Sequence, residues 1–299
     1  MHKLTIGIID SPWFIREANR ISSLLQETGI ETALVQKEIN LASSLEFFPA
    51  TSSLSLHQLL QSMNKWMAAG VIDIFPFPLH LLPFDPASTS VPTALLPRIA
   101  AHDTLLIRQD SLDTSEDFGL KKGAKVCVWS NIQAAQLKFE RKDLQIQIIH
   151  DQDPLFEINL MDESMDAYLI PGEAITSGLD ILDGCMVRPL VQSECTPVAG
   201  QGTTAMMVLP DNLMVRKMLK PIHHTATATF TNIERSVTKA LSPDRPFHTG
   251  AHCTLNEDNY YSIWVKSINR ETLDMATYQT VSQTKAGLAE LAIDHFLKS

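Results

Sequence analysis

The chain has 299 residues, 44% of them apolar and 19% charged, a globular composition long enough for two or three domains. Lys and Arg number 24 against 34 Asp and Glu, and the formal net charge of -10 excludes a broad nucleic-acid or anionic-membrane surface, because either needs a local excess of cations. No apolar run reaches the roughly 18 residues that span a bilayer, and residues 1–10 lack the charged-then-apolar plan of a signal peptide.

The four cysteines (Cys127, Cys185, Cys195, Cys253) are far apart and form no CxxC pair, so they read as thiols of a reducing compartment. The expected location is the cytoplasm. No metal site, nucleic-acid partner or membrane contact is expected, and a monomer is the expected state.

In chain order, residues 4–9 (LTIGII) form a short apolar run, the pattern of a strand covered on both faces. Ser11-Pro12 follows as N-cap and first helical residue, and Phe14, Ala18, Ile21 and Leu25 recur at helical spacing. A second helix is predicted over 55–69, with Leu56, Leu59, Leu60, Met63 and Met67 on one stripe, leading into a strand over 71–75. Pro76, Pro78, Pro83 and Pro86 then predict a loop and crossover. Strands are predicted over 104–107, 125–129, 145–149 and 167–170, with helical stretches between several of them. This alternation favours an α/β domain with a mainly parallel sheet. After Gly202 the texture changes to a helix over 233–241, alternating segments over 252–255 and 260–268, and a last helix over about 277–297, which together suggest a separate α+β domain.

Seven segments, in order, resemble the hydroxymethylbilane synthase (porphobilinogen deaminase) family: LTIGIIDSP, VIDIFPFPLHLLP, GAKVCVWSNIQAAQL, RKDLQIQIIHDQD, MDAYLIP, TPVAGQG and IERSVTKAL. The resemblance covers most of the chain. It implies two α/β lobes similar to periplasmic binding proteins, here residues 1–87 with 187–205 and residues 95–182, and a small α+β domain over 206–299. In such proteins a cysteine of the small domain carries a covalent dipyrromethane, onto which four porphobilinogen units are condensed in a cleft between the lobes.

The residues that carry this chemistry in the family are replaced. The acid/base aspartate position holds Leu81 and the lysine before it His80. Leucine cannot exchange a proton, and such groups typically contribute about 10²–10⁴-fold. The family's carboxylate-binding arginines fall at Ile9, Ile132, Gln133, His150 and Phe156, so the forked donors that suit a polycarboxylate are missing there. The cofactor-anchoring cysteine falls at Arg245, and no dipyrromethane is therefore expected. Lys125 and Arg141 remain, with lobe-surface roles expected for both. Cys253 is expected to be a small buried residue.

Ser11, Gly200 and Gln201 keep the family's residue. The residues expected to line the cleft are Ile9, Ser11, His80, Ser130, Ile132, Gln133, His150, Phe156, Gly200 and Gln201. Three readings follow: a scaffold that no longer condenses porphobilinogen and keeps the cleft for a small molecule or a partner; an active synthase with relocated residues; or a different reaction in that cleft, with His80, His150 and Asp151, or the His223-His224 pair, as acid/base or metal-binding groups.

Overall fold

The computed structural model describes residues 3–37, 52–84, 90–148, 164–176, 184–241, 247–269, 271–272 and 274–298, with the side chains of 52–57 and 247 left out. Its first elements are β1 (Leu4–Ile8), α1 (Pro12–Glu27), β2 (Thr32–Gln36), α2 (Ser52–Ala68), β3 (Phe75–Pro78) and β4 (Val91–Leu95). They are followed by β5 (Asp103–Arg108), β6 (Lys125–Val128), α3 (Asn131–Glu140), β7 (Gln145–Ile148), β8 (Ala167–Pro171), α4 (Gly172–Thr176) and β9 (Cys185–Pro189). The last are β10 (Thr204–Val208), α5 (Leu213–Met218), α6 (Thr225–Leu241), β11 (Phe247–Leu255), β12 (Tyr261–Asn269), β13 (Met275–Ser282) and α7 (Leu288–Lys298). The make-up is α/β with a C-terminal antiparallel sheet. None of the described helices is long and apolar enough to cross a membrane.

The chain divides into two compact units, the first built mainly from Met1–Arg98 and Thr203–Thr227, the second from Ile99–Ile149, Ile158–Gly202 and Ala228–Ser299. In the first unit β2 lies parallel to β1. A bridge from Ile6 to Ile74 sets the approach to β3 beside β1, and β10 runs antiparallel to both β3 and β4. The strand order is therefore β2-β1-β3-β10-β4. α1 packs Ala18, Ile21 and Leu25 of its buried face on Leu4, Ile6 and Ile8, with Met206 and Val208 of β10 in the same core.

The second unit repeats this plan, β7-β6-β8-β5-β9, with β6 parallel to β7 and β8 and with β5 antiparallel to β8 and β9. One antiparallel strand thus enters each otherwise parallel sheet, in agreement with the mainly parallel sheet that was predicted. Leu105, Ile107, Val126, Val128, Leu137 and Leu169 form the core under α3. The antiparallel sheet β11-β12-β13 belongs to the same unit and is covered by α6 and α7 through Val237, Leu241, Ile263, Val265, Leu288 and Ala292.

Two predicted elements are corrected. Residues 75–78 (FPFP) form a fully buried strand, although their prolines predicted a loop. Proline has no N–H to donate, so the ladder to β10 runs through Phe75 and Phe77, opposite Met207 and Ala205, and the two-residue period leaves the prolines between bonded positions. The predicted last helix begins eleven residues late, at Leu288, because 275–282 (MATYQTVS) is a strand. Its β-branched and aromatic residues alternate about a half-buried face, a period that overrides the helical reading.

Candidate functional site

In a sheet of this order, the strand from which the chain departs in both directions leaves a crevice beyond its C-terminal end, the usual position for a ligand in open α/β sheets. In the first unit that place is the turn from β1 into α1, beside the turn that follows β3. In the second it is the turn from β6 into α3. Ile9 and Ser11 occupy the first; Trp129 and Ser130 occupy the second.

The first turn is filled with apolar side chains. Ile9, Trp13 and Phe14 are buried, and the two rings meet edge to face at 5.0 Å. Ser11 is buried too, in extended backbone at the N-cap, without a side-chain bond to the helix N–H groups. His80 and Leu81 lie half-buried on a short 3-10 turn, Leu79–Leu81, anchored where the Leu79 N–H donates to the Thr203 carbonyl at 2.8 Å.

A cluster that sequence reasoning missed lies one turn further along α1. Glu17 is buried and accepts from the Thr204 hydroxyl at 2.7 Å, from Arg16 Nε at 3.1 Å and from Arg20 Nη1 at 3.3 Å. Its signal was available, because Glu17 sits three residues after Phe14 and four before Ile21, on the apolar stripe. Arg16 Nη1 is buried and has no hydrogen-bond partner among the described residues.

In the second unit Ser130 and Gln133 form a capping box. The Ser130 hydroxyl accepts from the Gln133 N–H at 3.2 Å, and Gln133 Oε1 accepts from the N–H groups of Ser130 (3.1 Å) and Trp129 (2.9 Å). The same glutamine donates through Nε2 to Asp103 Oδ1 at 2.8 Å. Gln201 donates to that oxygen at 3.0 Å and to the Ala101 carbonyl at 3.1 Å, and the Cys195 thiol donates to Oδ2 at 3.4 Å. Gln133, Gln201, Asp103 and Cys195 are all buried, and Ile132 is buried beside them on α3.

Burial pushes the Asp103 carboxyl up from 3.8 to about 6, with the three donors pulling the other way. Burial also raises the Cys195 thiol well above its ordinary value and lowers His102 and Lys266. Asp103 was not anticipated either. Its signal was a lone carboxylate opening the apolar run of β5, where an exposed strand end was the simpler reading.

Gly200 donates its N–H to Glu234 Oε2 at 2.9 Å, and Glu234 Oε1 accepts from the Cys253 N–H at 2.7 Å. The retained Gly-Gln-Gly segment is thereby tied to α6 and β11, and Cys253 is fully buried as expected. Gly202 has φ +73°, and a Cβ there would stand 2.1 Å from the Ile99 carbonyl oxygen, so glycine is required on both counts.

Of the residues expected to line a cleft, Ile9, Ser11, Ile132, Gln133, Gly200 and Gln201 are buried, while His80 and Ser130 are half-buried. His150, Phe156, Asp151 and Arg245 lie outside the described residues. The His223-His224 pair is engaged separately: His223 Nδ1 accepts from the Leu95 N–H, and His224 Nδ1 bonds the Thr227 hydroxyl. Among the described residues no three His, Cys, Asp or Glu side chains gather as a metal site would require.

The surface role expected for Arg141 is corrected. Its side chain is 5% exposed; Nη1 donates to the carbonyls of Asp117 and Leu120, and the guanidinium forks onto Asp143 at 2.8 Å. That fork holds the Asp143 carboxyl well below the usual range. Lys125 is exposed.

No family model matches the chain. A protein named probable porphobilinogen deaminase from Thermoplasma volcanium is 26% identical over 241 residues, covering 80% of this chain and 77% of that one. A porphobilinogen deaminase from Desulforamulus reducens is 28% identical over 148 residues, 49% of this chain and 46% of that protein. Among solved structures, a methionine-bound nutrient-binding protein from Burkholderia cenocepacia is 14% identical with a TM-score of 0.42, over 73% of this chain and 91% of that one. A periplasmic substrate-binding protein of an ABC transporter from Coxiella burnetii is also 14% identical, TM-score 0.42, over 76% and 94%. By its sequence, the chain is similar to the porphobilinogen deaminases.

Proposed function

We propose that this chain is a porphobilinogen-deaminase-like protein that binds a small molecule or a partner and does not condense porphobilinogen. The observation that carries this reading is the fate of the family's paired-arginine position. Ile132 is in the core, and Gln133 spends both ends of its amide on the α3 cap and on Asp103. A buried, fully bonded glutamine offers nothing to an incoming carboxylate, whereas a forked arginine would offer two parallel bonds.

Leu81 supports the same reading, because the condensation needs an acid/base group beside the pyrrole nitrogens and an alkyl side chain cannot serve. The apolar filling of the β1–α1 turn by Ile9, Trp13 and Phe14 is suited to an apolar or neutral ligand surface rather than to a growing polycarboxylate.

One observation favours the competing reading of an active synthase with relocated groups. Arg16 and Arg20 stand on α1, and Arg16 Nη1 has a donor to spare. Both guanidinium groups are nevertheless engaged with Glu17, which offsets one of their two charges.

The test is consumption of porphobilinogen by the purified protein, with an active deaminase as the positive control. Loss of substrate no faster than in buffer is expected. Turnover at a rate comparable to the control would overturn the proposal, and its loss in the R16A/R20A variant would assign the activity to the relocated arginines.

A further inference from the structure

The chain leaves the first unit at Arg98 and Ile99 and returns at Gly202 and Thr203. These two passages are bonded to each other: the Ile99 N–H donates to the Gly202 carbonyl at 2.8 Å, and Gln201 Nε2 donates to the Ala101 carbonyl at 3.1 Å. Asp103 closes the cluster, since its Oδ1 accepts from Gln201 on one passage while Asp103 itself ends the other. We propose that Asp103 is a proton-controlled latch, which holds residues 99–103 and 200–202 together when its carboxyl is neutral and loosens them when it ionises.

The geometry of the carboxyl supports this. Both amide donors, Gln133 Nε2 and Gln201 Nε2, converge on Oδ1, the arrangement that a carbonyl-type oxygen with two lone pairs accepts. Among the described residues Oδ2 is met by the Cys195 sulfur at 3.4 Å, and a thiol sulfur can serve as weak donor or weak acceptor. A neutral acid therefore fits with its hydroxyl on Oδ2, directed at sulfur. The ionised form fits less well: it is buried, and no cation bonds to it among the described residues.

Among the described residues, the titratable and charged groups on the surrounding elements are His102 just before β5, Glu194 and Cys195 in the segment before residue 196, Lys266 of β12, and Glu234 of α6. Lys266 is committed to the Glu194 carbonyl, and Glu234 to Gly200 and Cys253. α3 presents neutral Gln133 and Gln136 here, with Gln136 bonded to the Thr196 backbone, and carries Glu140 at its far end.

The sign follows from linkage. The carboxyl is pushed up to about 6 in the closed cluster and returns toward 3.8 when opening exposes it, so protonation favours closure and ionisation favours opening. Between pH 5 and pH 7.5 these values raise the opening equilibrium about tenfold.

Amide hydrogen exchange of the full chain tests the proposal, read on the Ile99 and Gln201 amides after correction for the intrinsic rate at each pH. An opening equilibrium about tenfold higher at pH 7.5 than at pH 5 is expected for the wild type, and less than twofold for D103N, which keeps Oδ1 and places an N–H toward Cys195. Equal pH dependence in the two proteins would overturn the latch. Should D103N fail to fold, the side-chain carboxyl carbon of Asp103 in the wild type decides by NMR: a transition with its midpoint near pH 6 is expected, and a flat response from pH 4.5 to 7.5 would overturn the proposal. Neither measurement involves porphobilinogen, so the latch and the proposed function stand or fall separately.

Discussion

Arg141 and Asp103 are both buried charged residues, and they are stabilised in opposite ways. Arg141 has a carboxylate fork and two carbonyls, so every face of the guanidinium that meets protein is matched. R141M keeps most of the length and leaves the Asp117 and Leu120 carbonyls without their donor, which is expected to cost about 2–4 kcal/mol in a urea unfolding curve. A change under half that size would mean that water replaces the lost bonds.

Asp103 has donors but, among the described residues, no cation bonded to it. Its raised value means that the stability it contributes is fully present below 3.8 and is lost as the pH rises through about 6. The melting temperature of D103N minus that of the wild type should therefore increase with pH between 4 and 6 and then level off. Taking the difference removes the opposing effect of His102, whose burial favours the neutral ring and so stabilises above the ordinary histidine range. Neither buried role was legible in the sequence. A charged residue's burial depends on which carbonyls or amides the fold brings to it, and those partners are 21 and 98 positions away for Arg141–Leu120 and Asp103–Gln201.

At the scale of elements, α3 shows how one side chain can replace an expected function with a structural one. Gln133 closes the capping box and holds Asp103, so Q133L should lose both the cap and the Asp103 donor, lowering stability by about 2–4 kcal/mol. S130A, which removes only the hydroxyl half of the box, should cost about 1 kcal/mol. Equal losses in the two variants would show that the bond to Asp103 contributes nothing measurable. The helix itself falls among the helical stretches expected between the predicted strands, whereas its capping box is a finding of the structure. α1 and the strands β1, β5, β6, β7 and β8 were legible from local pattern, where apolar runs meet capping or turn residues. β3 was hidden because its prolines obey a rule that depends on which neighbour needs the N–H, and β13 was hidden because eight residues of mixed polarity fit two periods.

At the scale of the molecule, the two units share one strand order although no internal repeat is visible in the sequence. Each sheet contains a strand-turn-helix unit with a serine at the N-cap, Ser11 in one and Ser130 in the other, and each receives one antiparallel strand, β10 or β5. Those strands lie next to the two passages at 98–99 and 202–203, so their placement follows from where the chain changes units, which hydrophobic periodicity does not reveal. The retained family residues Gly200, Gln201, Gly202 and Glu234 gather around these passages and hold structure. The replaced family positions were legible one by one from the aligned segments, but what fills them was legible only for the aliphatic residues.

The central claim, that the family's scaffold persists without the family's condensation chemistry, is tested most directly by intact-mass spectrometry of the full chain. The protein would be produced in a host that makes its own porphobilinogen, then measured before and after incubation with added porphobilinogen. The account predicts a single mass equal to that of the unmodified polypeptide in both samples. A covalent increment matching a dipyrromethane, or a ladder of added pyrrole units after incubation, would contradict it.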